Sequence, residues 1–218
     1  MSLEKEGISD EEIHKDFFHL CGSRKQGFHN DTSDIDLLCC GPGRLTHSQF
    51  FSAFSSVISS SRIPMKLHYI SLDTLVPIAR FSMRDLNIDL VYANLDMDHS
   101  TRIWEFSDQE VDNLLDINFR CISAVRDAHS LSSKIDKLEY LTAVRIIRFW
   151  AKQRGSYSNG FGYLAGISWA VMVGSVIMNL KSRNSPAVII YEFFSKFAHW
   201  KWPHPISLHS DQVAIPNE

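Results

Sequence analysis

Two aspartates separated by one residue, Asp34-Ile35-Asp36, head an apolar run through Leu37, Leu38, Cys39 and Cys40. The run predicts a strand over residues 34–40, ended by Gly41-Pro42-Gly43. Side chains alternate along a strand, so both carboxylates face one way and Ile35, Leu37 and Cys39 face the other, into a core. Adjacent carboxylates repel unless a cation joins them, and oxygen-only ligands suit Mg²⁺. Cys21-Gly22-Ser23 stands ten residues upstream, a small Gly-Ser turn of the kind that accompanies a phosphate-binding metal site.

A third acid sits in another apolar run, Asn87-Ile88-Asp89-Leu90-Val91-Tyr92-Ala93. An acid embedded in a strand is unfavourable without a partner. If the two strands pair, Asp34, Asp36 and Asp89 can hold two Mg²⁺ ions roughly 3.5–4 Å apart. A lone D-x-D is common on strand edges and in loops. Its conjunction with Gly-Ser and a second strand-borne aspartate carries the reading.

The 218 residues suffice for one large or two small domains, and 44% hydrophobic with 22% charged residues is ordinary globular composition. A net charge of −3 excludes a surface coated in basic residues, so any nucleic-acid contact is a local patch. The charge is uneven: residues 1–36 hold nine acids against four bases, and residues 134–154 hold six bases against two acids. Cys21, Cys39, Cys40 and Cys121 form no C-x-x-C pair, which fits packed thiols in a reducing compartment. The ten histidines show no metal-ligand spacing. The opening residues are polar and acidic, unlike a signal peptide. Phe161–Leu180 approaches membrane-spanning length, but its glycines, serines and Asn179 favour a central core helix.

Along the chain, residues 10–20 read as the end of a helix leading into the Gly-Ser turn. A helix follows over 46–60, with an apolar stripe of Phe50, Phe51, Phe54, Val57 and Ile58. Strands are expected at 65–70, 75–80 and 86–93, and helical character from about residue 110. Asp136 leads a helix to about Gln153 on which Arg145, Arg148 and Lys152 share a face, with Gly155 beyond its last turn. Further helices are expected at 162–180 and 185–198, then a break at Trp200–Pro205. Strands followed by helices indicate an α+β fold.

Several segments, in order, resemble the nucleotidyltransferase superfamily and, more closely, the eukaryotic nuclear poly(A) polymerases. They are Cys21–His29 running into Ser33–Asp36, then Asn87–Ala93, Leu115–Ile122, Arg148–Lys152, Tyr157–Asn159, Gly166–Ala170 and Trp200–Pro205. The resemblance covers residues 17–208 and implies a palm with a mixed sheet over 1–110 and a helical central domain over 111–208. It leaves 209–218 as a tail and the family's C-terminal RNA-binding domain absent. It implies transfer of AMP from ATP to an RNA 3′ end in the nucleus by two-metal-ion catalysis. The metal would be Mg²⁺, with Mn²⁺ as an alternative.

By the same resemblance Asp34, Asp36 and Asp89 are the catalytic metal ligands. ATP contacts fall on Cys21, Gly22, Ser23, Asn30, Asp34, Ile35, Asp36, Asp89, Arg148, Tyr157, Asn159, Gly166 and Ile167. Arg145 and Lys152 face RNA. The implied partners are ATP, RNA and the polyadenylation machinery, with no membrane and a monomeric state. Cys21 stands where the family has phenylalanine, Arg24 where it has tyrosine and Arg148 where it has lysine. Ser123–Ala128 lacks the family's S-L-N-G segment, whose asparagine contacts the sugar. The alternatives are a terminal uridylyltransferase and a non-catalytic RNA-processing scaffold.

Overall fold

Period-two alternation organises the first half of the chain. In order it forms β1 (Phe18–Cys21), a short helix α1 (Gly22–Gln26), β2 (Ile35–Pro42), α2 (His47–Ser60), β3 (Met65–Ser71), β4 (Ile78–Met83) and β5 (Leu86–Leu95). After a 3₁₀ turn at Ile103–Glu105 come α3 (Asp108–Asp112), α4 (Asp116–Lys134), α5 (Lys137–Gln153), α6 (Gly166–Ile177) and α7 (Pro186–Ala198). The computed structural model describes residues 17–31, 33–95, 103–135, 137–158, 161–164, 166–180, 185–206 and 208. A mixed sheet followed by helices is the expected α+β class.

The strands form one sheet in the order β1-β2-β5-β4-β3. Only β2 and β5 run parallel; the other pairs are antiparallel. β5 lies between β2 and β4 and is covered on both faces, so its middle is apolar apart from Asp89. On one face Ile88, Leu90 and Tyr92 pack with Cys39, Ala79 and Phe81 and with Phe51 and Ile58 of α2. The Phe50 ring stacks on Tyr92 with centroids 4.0 Å apart. On the other face Leu38, Cys40, Ala93 and Leu95 pack with Cys121, Ile122 and Val125 of α4.

α2 begins where the sequence offers a reciprocal cap. The Gln49 amide donates to Thr46 Oγ1 at 3.3 Å, and the Thr46 amide donates to Gln49 Oε1 at 2.9 Å. Of its expected stripe, Phe51 and Ile58 are fully buried and Val57 is exposed.

The chain divides into two units, residues 1–25 with 29–126, and residues 26–28 with 127–218. The division falls within α4. The second unit packs α5, α6 and α7 on one another through Ala143, Val144, Ile147, Val173, Ile189 and Phe193. α6 is buried on nearly all sides, from Trp169 to Val176, which explains its uniform apolarity. Among the described residues no helix is long and apolar enough to cross a membrane.

Three expectations change. Residues 18–21 form a strand, not a helix end: Phe18 and Leu20 are exposed, His19 and Cys21 are buried, and the segment ladders onto β2. The earlier part of that expected helix, and Asp136 and the tail, lie outside the described residues. β4 starts at Ile78 because Thr74 donates from Oγ1 to the Val76 carbonyl and keeps that stretch a turn. α6 starts at Gly166 rather than 162, since Gly162 at φ +75° cannot continue a helix. All four cysteines are buried and unbridged.

Candidate active site

A single row of paired residues crosses the sheet. Cys21 of β1 faces Asp36 of β2, Asp36 faces Asp89 of β5, Asp89 faces Arg80 of β4, and Arg80 faces Tyr69 of β3. Directly opposed residues lie on the same face of a sheet. The parallel register therefore brings together two acids far apart in sequence, and Asp34 joins them from the residue before β2.

Asp36 carries the electrostatic signature of the row. Its carboxyl is pushed up to about 6, first by burial, then by the Asp89 and Asp34 charges, with Arg80 opposing. Asp89 is 8% exposed and is matched by Arg80. Arg80 Nε donates to Asp89 Oδ1 at 2.6 Å, and Arg80 Nη2 donates to Asp89 Oδ2 and, at 3.4 Å, to Asp34 Oδ2. The guanidinium also lies 5.8 Å from the Tyr69 ring centroid.

Gly22 opens α1 at φ +62°, and a Cβ there would collide with the Asp36 carboxylate. Only glycine lets this turn approach the acid so closely. Ser23, the next residue, is half-buried. The Arg24 guanidinium donates to the Ser33 carbonyl at 2.9 Å, tying α1 to the segment that leads into Asp34. Asn30 belongs to the same tie: the Ser33 hydroxyl donates to its Oδ1 at 2.7 Å.

Two expected nucleotide contacts have no free side chain to offer: Cys21 shares the face of Asp36 but is engaged there, and Ile35 points to the other face. Cys21 is buried, its Sγ donates to the Asp36 carbonyl at 3.3 Å, and burial pushes its thiol up to about 12. Ile35 packs with the α2 face of the sheet.

The row suits a divalent cation on several counts. Its donors are carboxylate oxygens, they share a face, and they already hold a cation in the form of Arg80. Among the described residues no group of three or more His, Cys, Asp or Glu side chains is positioned to hold a metal ion as it stands. Arg80 occupies both oxygens of Asp89 and reaches one of Asp34.

In the second unit, another cluster forms around Arg148 of α5. Its Nη1 donates to the Phe28 carbonyl at 3.1 Å and its Nη2 to the Tyr157 hydroxyl at 3.0 Å, while the guanidinium lies 4.6 Å from the Phe28 ring centroid. Gly166, the first residue of α6, lies against both: a Cβ there would come 3.0 Å from the Tyr157 hydroxyl and 3.4 Å from Arg148 Nη2. Ile167 follows on the same first turn, at the helix end whose dipole favours an anion. Lys152 lies 5.1 Å from the Tyr157 ring centroid, and Arg145 Nη2 donates to the Gly27 carbonyl at 2.8 Å. Asn159 lies outside the described residues.

Sequence reasoning missed Arg80 and Tyr69. A signal for Arg80 existed. A two-residue turn at Arg84-Asp85 pairs residues equidistant from it, and Arg80 and Asp89 each stand four positions away.

The chain matches the poly(A) polymerase nucleotidyltransferase domain over residues 4–133 and the poly(A) polymerase central domain over residues 139–216. It is 32% identical to nuclear poly(A) polymerase 1 of Arabidopsis thaliana over 209 residues, which is 94% of this chain and 29% of that protein. It is 34% identical to a poly(A) polymerase of Dictyostelium discoideum over 195 residues, 86% of this chain and 23% of that protein. The chain thus spans less than a third of the length of either relative. Among solved structures, the Cid1 poly(U) polymerase bound to MgATP superposes with a TM-score of 0.56 at 14% identity, over 85% of this chain and 62% of the other. That likeness speaks to the fold alone. With the nucleotidyltransferase domain matched over more than half its length and the central domain after it, the chain belongs to the poly(A) polymerase family.

Proposed function

We propose that this chain is the nucleotidyltransferase core of a polynucleotide adenylyltransferase. It transfers AMP from ATP to the 3′ end of RNA and releases pyrophosphate, and it works in the nucleus with the polyadenylation machinery, as a monomer. The observation that carries the reading is the Asp36–Asp89 pairing across parallel strands, with Asp34 beside it. The family assignment supports it, as do the relatives named nuclear poly(A) polymerases. In this reading residues 1–110 are the palm and 111–208 the helical central domain.

Asp34, Asp36 and Asp89 hold Mg²⁺, or Mn²⁺ in its place. Bound there, the ion makes the attacking 3′ hydroxyl more acidic and neutralises charge on the phosphates. The turn at Gly22 and Ser23 presents amides and a hydroxyl to phosphate, and Cys21 and Ile35 take part through backbone only. Asn30 holds the loop before Asp34 in place. On the helical unit, Arg148 and Tyr157 bind triphosphate oxygens beside the α6 N-terminus, where Gly166 and Ile167 meet the nucleotide with Asn159. Arg145 and Lys152 meet RNA. Transfer of this kind is positioning plus charge neutralisation, so fixed donors matter more than proton movement.

The fold is shared with poly(U) polymerases, so a uridylyltransferase is the reading to exclude. Primer extension on oligo(A) RNA, with each nucleotide in turn and with Asp36→Ala alongside, tests both. Extension with ATP alone, lost in the variant, is expected. A preference for UTP would overturn the nucleotide assignment, and extension that survives in Asp36→Ala would overturn the metal assignment.

A further inference from the structure

The carboxylate row contains its own cation, and that cation sits on the oxygens a metal ion needs. Arg80 takes Asp89 in a two-point fork, Nε on Oδ1 and Nη2 on Oδ2, and the same Nη2 reaches Asp34 Oδ2 at 3.4 Å. A planar guanidinium matches a carboxylate in this way, so the fork fixes the Asp89 rotamer as well as neutralising it. Two features make the hold releasable. The Arg80 side chain is 37% exposed, and Asp34 is 38% exposed, so the longer contact has water at hand. The Tyr69 ring, paired to Arg80 across β3 and β4, offers the guanidinium a second resting place 5.8 Å from its centroid.

We propose that Arg80 is a tethered counter-cation that competes with the divalent ion for Asp34 and Asp89. With no ion bound it keeps the acids aligned against their mutual repulsion. When an ion binds, it gives up Asp34 and loosens its fork on Asp89, moving toward Tyr69. It is a positioning residue and touches no substrate in this account. The inference rests on the metal reading given above.

Its consequence is that removing Arg80 strengthens metal binding. Partly exposed ion pairs contribute about 0.2–1 kcal/mol, which converts to about 1.4- to 5-fold in affinity. Mn²⁺ binding, read directly from the electron paramagnetic resonance of the free ion, is compared for the unmodified chain, R80Q, R80K and D36A. R80Q is expected to bind Mn²⁺ about 1.4- to 5-fold more tightly, and R80K, which keeps charge without the fork, to lie between. Equal or weaker binding by an R80Q protein with an unchanged circular dichroism spectrum overturns the inference.

A second measurement needs no substitution. The Arg80 Nε–H resonance, held by Asp89, is expected to shift as Mg²⁺ is titrated, with the midpoint of metal binding. A resonance unmoved at saturation overturns the inference even if R80Q fails to fold. An unmodified chain that binds no Mn²⁺, or D36A binding it as well as the unmodified chain, overturns the metal reading itself and this inference with it.

Discussion

Replacing Asp36 with asparagine should stabilise the chain in the absence of a divalent cation. Asp36 has Asp89 opposite it on β5 and Asp34 two residues before it, and burial combines with those charges to push its carboxyl up to about 6. An unfolded aspartate titrates near 3.9. The folded state therefore binds the proton more tightly, and the stability linked to Asp36 is full below about pH 4 and lost as pH rises through about 6. A shift of about two units corresponds to about 3 kcal/mol, and partial exposure of the group reduces this to about 1–2 kcal/mol. Asparagine keeps the shape and removes the charge. In urea titrations with a chelator present, Asp36→Asn should exceed the unmodified chain by about 1–2 kcal/mol at pH 7.5 and by almost nothing at pH 4. Adding Mg²⁺ should stabilise the unmodified chain and leave the variant unchanged. A variant no more stable than the unmodified chain at pH 7.5 would refute the argument that burial and the neighbouring acids outweigh Arg80 at Asp36.

Other expectations follow from single contacts. Gly22→Ala places a Cβ on the Asp36 carboxylate at φ +62°, so chemical denaturation should show a loss of about 2 kcal/mol or more. Asn118, 3% exposed, donates to the Asn94 carbonyl at 2.7 Å and accepts from the Asn94 amide at 3.2 Å. Asn118→Ala leaves both groups unmatched at the end of β5 and should cost about 2–3 kcal/mol in the same assay. Arg148→Gln removes both the charge and the fork that joins Phe28 and Tyr157, so ATP should bind more weakly in equilibrium dialysis. Unchanged binding there would remove Arg148 from the proposed nucleotide contacts. Tyr92→Phe deletes a hydroxyl that donates to the Leu45 carbonyl at 3.1 Å, an expected loss of about 1 kcal/mol by urea titration.

The acids of the sheet were legible because a period of two is a strong local signal. Alternation alone separates Asp34 and Asp36 from Ile35 and Leu37, and the structure keeps that separation. That Asp36 would face Asp89 depended on a parallel pairing between strands fifty residues apart, which no local pattern states. β1 has no strand signal of its own, because it is only four residues long and follows a polar, acidic opening. What makes it a strand is its ladder to β2, a tertiary fact. The start of α6 is obscured in the sequence because Phe161-Gly162-Tyr163-Leu164 is apolar enough to look helical, whereas the left-handed backbone at Gly162 stops it. Arg80 is hard to single out because a strand over 75–80 puts it at the strand's end, whereas β4 runs over Ile78–Met83 and holds it within.

The β2–β5 pairing also governs when the folding chain assembles its acids. A slip of one residue would turn Asp36 toward Phe51 and Tyr92 and take Leu37 out of that layer, so the phenylalanine layer of α2 rejects every odd-numbered shift. The same pairing needs residues 35–42 and 86–95 to meet across α2 and the β3–β4 hairpin, a late and slow closure for a folding chain. Core and carboxylate row are therefore completed by one event. A partly folded chain, whatever helices it has already formed, carries no assembled acids, and the potential to react appears only with the finished sheet.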